Sequence, residues 1–173
     1  MLLTLYNTLM KRFFTSKYTY IVALLLGIQA MALLHFGQPL ICACGEVKLW
    51  SGVVLSADNS QHIFDWYTFS HIVHGVIFYL LLSAVFPRMS IGLRVLIATG
   101  IEVGWELLEH TPTVIEMYRQ QALAQGYVGD SIINSLSATL AMLGGFYLTY
   151  NARVWLIVVF ALCLELFAGF FIH

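Results

Sequence analysis

Charge is scarce in this chain: Asp, Glu, Lys and Arg make up 10% of its 173 residues, and the formal net charge is −1. That excludes a polybasic footprint for nucleic acid, whose phosphates are bound by clustered Lys and Arg. No glycine-rich phosphate loop and no long soluble segment is present, so a nucleotide-binding domain is excluded as well. Alternation of polar and apolar residues is also missing from the apolar runs, which argues against barrel strands. What remains is apolar: 60% of the residues are hydrophobic, which places the chain in the membrane class.

A span needs about 20 predominantly apolar residues to cross a hydrocarbon core, and five stretches qualify, at roughly 19–36, 64–86, 90–109, 130–150 and 153–172. Backbone groups in lipid must satisfy one another, so these spans are expected to be helices. The sequence thus predicts an all-α polytopic bundle, a single domain over 19–173, preceded by an amphipathic interfacial helix over 1–18 with Leu2, Leu5, Leu9 and Phe13 on one face. A lipoprotein-like cleavage site around Cys42 is the competing reading of that first segment. Six of the eight basic residues, Lys11, Arg12, Lys17, Arg88, Arg94 and Arg153, fall on one side of the spans. The positive-inside rule makes that side the cytoplasm, with the C-terminus on the periplasmic side of a bacterial inner membrane.

Ionisable groups in hydrocarbon are costly and mark a site by default. With this topology His71 and His74 lie roughly 10 and 14 Å below the outer lip of the second span, at 1.5 Å per residue. Glu102, Glu106 and Glu109 form one face of the third span, and Asp130, Asn134 and Ser137 one face of the fourth. All three polar faces occupy the outer half of the membrane. Imidazole and carboxylate together suit zinc, manganese or iron. The expected ligands are His71, His74, Glu106 and Asp130, with Glu102, Glu109, Asp65 and His62 supporting them or handling protons. The bland alternative is a buried hydrogen-bond network that holds the helices together.

The segment after Pro112 is expected to form a short helix over the cavity mouth. It carries Arg119, either an anion ligand or the partner of a plain salt bridge. Tyr67, Trp105 and Asn134 are further candidates for substrate contact. Cys42 and Cys44, in a C-A-C-G run, are read as thiols that are free, partner-linked, redox-active or metal-binding, since a bond between residues two apart is geometrically awkward. Cys163 is expected to be a packing residue, and Glu165 to enter the cavity or to lie neutral against a helix.

The run Asp65-Trp-Tyr-Thr-Phe-Ser-His71-Ile-Val-His74-Gly75, the Cys42-Ala-Cys44-Gly45 loop, the Glu102 to Glu109 stripe and Gly129-Asp130-Ser-Ile-Ile-Asn134-Ser resemble one family. It is a conserved family of proteobacterial multi-pass membrane proteins of unknown function; the likeness implies an inner-membrane location and no activity. A more distant likeness is to VanZ-like membrane proteins, through Ser70 and His74, Glu106 and Glu109, Arg119, and Asp130 with Asn134. There Ser70 stands in place of an Asp and Glu109 in place of a Gln. That family's association with glycopeptide resistance implies an envelope role.

Three functions follow as expectations. The first is an intramembrane hydrolase or transferase acting on a lipid or lipid-linked envelope substrate. In it His74 and Glu106 do acid/base or metal chemistry, and Ser70 or a metal-activated water is the nucleophile. The second is a proton-coupled transporter, against which stands the near absence of polar residues from the inner half; a homo-oligomer would supply the missing path. The third is a protein that binds a lipid or a partner helix without turnover.

Overall fold

The computed structural model describes residues 17–56, 58–120 and 127–172. Six helices follow one another: α1 (Lys17–His35), α2 (Tyr67–Val85), α3 (Ile91–Glu109), the short α4 (Pro112–Arg119), α5 (Ile132–Asn151) and α6 (Val154–Ile172). Among the described residues no strand forms; one isolated bridge joins Trp50 to Phe64. Four helices, α1, α2, α5 and α6, are long and apolar enough to cross a membrane. α3 matches them in length at 19 residues but carries Arg94, Glu102, Glu106 and Glu109. The expected interfacial helix over 1–18 lies, but for its last two residues, outside the described residues.

Local chemistry sets the helix ends. α1 stops at a Schellman turn: Gly37, at φ +87°, donates its N–H to the Leu34 carbonyl, and Gln38 donates to that of Leu33. Ser90 caps α3 and Ser131 caps α5, each hydroxyl accepting a first-turn N–H. α4 opens with Pro112, whose missing N–H costs nothing in a first turn. Ahead of α2, Asp65 Oδ1 accepts the Thr68 N–H at 3.1 Å while the Asp65 N–H donates to Thr68 Oγ1 at 3.0 Å.

α5 is the hub, with 50% of its most apolar window buried, against 11 to 22% for α1, α2 and α6. Its partner is α2, and two glycines let them touch. A Cβ on Gly145 would collide with the Ile72 carbonyl oxygen, and one on Gly75 with the Met142 carbonyl. Backbones this close gain packing contacts in a setting where apolar burial alone drives no association. Leu82, Val95, Ala98, Met142 and Phe146 fill the space among α2, α3 and α5, and Val76, Ile157 and Ala161 join α6 to α2. Large apolar side chains such as Leu166 and Phe170 cover the outside of α6, where lipid contact makes exposure favourable.

Two expectations about α6 are corrected. Cys163 is exposed rather than packed in the core. Glu165 is exposed as well; it lies beside the Ile157, Ala161 and Ala168 stripe that the helix turns inward, and it neither lines the cavity nor is buried against a helix.

Gly145→Ala is expected to force α5 away from α2 and to destabilise the fold by roughly 1 to 3 kcal/mol, the usual cost of overpacking. Thermal unfolding in detergent measures it; an unchanged midpoint would mean that the glycine contact is not needed.

Candidate functional site

The ends of the helices that carry the polar residues meet at one end of the bundle. Gln61 Nε2 donates to the Gly129 carbonyl at 2.8 Å, and Asn134 Nδ2 to the His62 carbonyl at 2.6 Å. Ile132 N–H donates to the Pro39 carbonyl at 2.9 Å. The loop before α2 and the turn before α5 are thereby locked together above the helices.

Below them, Glu102 is fully buried and sits between two imidazoles. His71 Nδ1 is 2.6 Å from its Oε1 and His74 Nδ1 3.2 Å from its Oε2. An ionised carboxylate only accepts, so Nδ1 carries a proton in both rings. Neither Nε2 has a hydrogen-bond partner among the described residues, and both rings line a cavity of about 360 Å³. A carboxylate that holds Nδ1 and frees Nε2 is the arrangement that orients metal-binding and acid/base histidines.

Glu106, one turn along α3, is also fully buried. Its Oε2 accepts the Ser135 hydroxyl at 2.6 Å. Its Oε1 lies 3.6 Å from His71 Nδ1 and has no hydrogen-bond partner among the described residues. Behind Ser135, Gln29 Nε2 donates to the Ser135 hydroxyl at 2.8 Å, and Thr139 Oγ1 donates to Gln29 Oε1 at 3.0 Å. Gln29, a buried amide in the middle of α1, escaped the sequence reading although a lone Gln in an apolar run is itself a signal.

His110 escaped it too. Four residues after Glu106, it continues the carboxylate face and is buried. Its Nδ1 donates to the Glu106 carbonyl at 2.6 Å, so its Nε2 is bare and accepts the Asp130 N–H at 2.9 Å. Glu106, His110 and Asp130 lie close enough to share a metal, but both His110 nitrogens are already engaged. His110 is a brace for the turn that presents Asp130. Tyr127 donates its hydroxyl to Asp130 Oδ1 at 2.6 Å, and Tyr118 donates to Glu109 Oε1 at 2.8 Å. Burial and the nearby Asp130 carboxylate push the Tyr127 hydroxyl far above its usual range, so it stays a donor. Burial, reinforced by the Asp130 charge, also raises the Asp65 carboxyl.

Of the residues singled out from sequence, Asp65, Tyr67, Ser70, His71, His74, Trp105, Glu109, Asp130 and Asn134 line the cavity. Glu102 and Glu106 stand behind the histidines. The ligand atoms that converge within 4.8 Å belong to His71, His74 and Glu102, whereas the sequence reading put Glu106 and Asp130 beside the histidines. Ser70 makes no hydrogen bond to His74 among the described residues. Two residues lie elsewhere. Arg119 donates from Nε to the Tyr127 carbonyl at 2.6 Å and lines a separate hollow with His110 and Glu116. His62 belongs to a loop cluster with Cys42, Cys44 and Asp58. Among the described residues no Lys or Arg lines the cavity; its chemistry is carboxylate, phenol and imidazole.

Replacing His110 by Ala is expected to strand the buried Asp130 N–H and to cost roughly 1 to 3 kcal/mol of stability. Thermal unfolding measures this, and unchanged stability would contradict the bracing role.

A family model described as Protein of unknown function (DUF2585) matches residues 33–173. A UPF0314 protein of Sphingopyxis alaskensis is 45% identical over 147 residues, covering 85% of this chain and 78% of the relative. One from Paracoccus denitrificans is 47% identical over 132 residues, 76% of this chain and 68% of the relative. One from Sinorhizobium fredii is 48% identical over 151 residues, 86% and 77% of the two chains. No solved structure matches, and the distant VanZ-like resemblance draws no support from these matches. The family match spans most of the chain, and on it, together with these relatives, the chain belongs to the DUF2585 family.

Proposed function

We propose that this chain is a membrane-embedded enzyme that uses a divalent transition metal to act on the polar head of a lipid or lipid-linked envelope substrate. One observation carries the reading: a single buried carboxylate, Glu102, holds Nδ1 of both His71 and His74 at the wall of a cavity that no Lys or Arg among the described residues lines. Carboxylates gathered in a low-dielectric bundle repel one another unless protons or a cation compensate. A metal on the free Nε2 atoms, completed by Asp130 or Glu109, supplies that compensation. It also supplies the positive charge that an anionic head group needs, since Arg119 faces another hollow. Zinc, manganese or iron suits imidazole with carboxylate. A metal held there would supply an activated water as nucleophile, with Ser70 at the cavity wall as the other candidate, and whichever of Asp130 and Glu109 does not complete the shell would take the proton.

The membrane setting fits this reading. Lys17, Arg88, Arg94 and Arg153 fall at the opposite end of the bundle from the cavity. By the positive-inside rule this distribution supports a cavity that opens toward the outer leaflet of the inner membrane.

A second reading rests on the chain Glu106, Ser135, Gln29 and Thr139, which leads from the cavity into the apolar half of the bundle. It is a proton path, and it favours a proton-coupled carrier. Gln29→Leu would abolish proton uptake by proteoliposomes if the carrier reading holds.

Elemental mass spectrometry of the detergent-purified protein tests the enzyme reading. About one equivalent of zinc, manganese or iron is expected in the wild type, with nearly all of it lost from His71→Ala/His74→Ala. Losing either ligand's orientation through Glu102→Gln should weaken metal affinity by roughly 10- to 100-fold. A folded wild type that takes up no metal from excess zinc, manganese or iron would sink the reading.

A further inference from the structure

Cys42 and Cys44 are joined by a disulfide across a single residue. A ring this small restricts the unfolded chain little, so a stabilising staple is a poor account of it. Its two sulfurs are unequal. Cys42 is 4% exposed whereas Cys44 is open to solvent. Gly45, at φ +80°, turns the chain so that its N–H reaches the Cys42 carbonyl. The Cys44 N–H, in turn, donates to Cys42 Sγ at 3.1 Å, a contact that favours negative charge on that sulfur.

His62 adds a second, independent feature. Its Nδ1 accepts the Lys48 backbone N–H at 3.3 Å, so the neutral ring carries its proton on Nε2. That Nε2–H is buried and has no hydrogen-bond partner among the described residues; Asp58 Oδ2 is 3.8 Å away. Asp58 Oδ1 is 3.9 Å from Cys42 Sγ, and Lys48 Nζ is 3.1 Å from Asp58 Oδ2. Both sulfurs, an Asp58 oxygen and a His62 nitrogen gather within 4.8 Å. Such a group suggests a thiolate metal site, but a metal needs a lone pair on Nε2, where this tautomer holds a proton. A donor without an acceptor suits a neighbouring thiolate instead.

We propose that this loop is a thiol–disulfide exchange site for a dithiol partner. One thiolate of the dithiol attacks the exposed Cys44 Sγ. The new bond forms as the Cys42–Cys44 bond breaks, and its electron pair goes to Cys42 as a thiolate beside the Cys44 N–H and His62. The second thiol of the partner loses its proton to solvent and attacks the partner's own sulfur in the mixed disulfide, so that Cys44 leaves as a thiolate. Two electrons have then moved from the dithiol to the chain, the dithiol's two protons have gone to solvent, from which the two cysteine thiolates are reprotonated, and the partner departs as a disulfide. Run in reverse, the site oxidises a dithiol. His62 and Asp58 are positioning residues for the Cys42 sulfur.

The test uses the full chain in detergent with Cys163→Ser, which removes the remaining cysteine. Dithiothreitol is the dithiol, and maleimide tagging counted by mass is the readout. No tag is expected before reduction, two tags after it, and none again after reoxidation. With one cysteine left, Cys42→Ser should capture oxidised glutathione at Cys44 on the order of tenfold faster than Cys44→Ser captures it at Cys42. In the Cys44→Ser background, His62→Leu should move the pH profile of Cys42 alkylation upward by loss of the donor. Asp58→Asn, at a partly exposed position, should move it downward by loss of a negative charge. A bond that resists dithiothreitol in the folded protein, equal capture rates, or a pH profile that neither variant moves would overturn the proposal.

Discussion

The structure turns on the burial of one carboxylate. Moving an ion of that size out of water costs several kcal/mol even after relaxation, and Glu102 has no solvent contact. Two imidazole donors from a neighbouring helix meet it, at 2.6 and 3.2 Å. Hydrogen bonds to a charged group contribute about 1.5 to 3 kcal/mol each, enough to offset the burial but not to make it a source of stability. A bundle built for stability alone would carry leucine there. The carboxylate therefore makes sense as the part that aims two rings, and the rest of the bundle holds it in place. The Gly75 and Gly145 contact draws α2 onto α5. That fixes where His71 and His74 stand relative to α3 and brings Ser135 to Glu106.

The loops finish the site at the same end. His110 and Asn134 tie the turn carrying Asp130 to α3 and to the loop before α2, so the carboxylates along the cavity are set by hydrogen bonds whose partners are far apart in sequence. The Cys42 and Cys44 loop lies along the same connection, just beyond Gln38. Two side-chain clusters, one in the bundle and one in the loop, thus occupy one end of the molecule without sharing a residue.

Much of this was legible in the residues. Apolar run length located the helices to within a few positions, because the hydrocarbon thickness that sets the length is a property of the solvent. Helical periodicity put Glu102, Glu106 and Glu109 on one face, because 3.6 residues per turn is a property of the backbone. What periodicity does not carry is which carboxylate a facing helix meets. That depends on how α2 and α3 pack, which neither helix's own spacing states, and the carboxylate nearest both rings is Glu102 where Glu106 was expected. Of the two expectations for Arg119, the plain salt bridge stands, to Glu116 at 3.8 Å, whereas the anion ligand over the cavity mouth does not, because its Nε is held by the Tyr127 carbonyl beside another hollow. His110 carried a signal, its spacing of four from Glu106, that a count of acidic residues passes over. Glu165 and Cys163 are exposed on a helix that is apolar on every side, where no hydrophobic face tells which way it turns.

The most direct test of the central claim is nitrogen NMR of the purified protein labelled with ¹⁵N-histidine, compared with Glu102→Gln. Nδ1 protonated and strongly hydrogen-bonded in both His71 and His74, with that signature lost from both rings in the variant, is the result the account predicts. An unprotonated Nδ1 in either ring, or spectra that do not change when Glu102 is replaced, would contradict it.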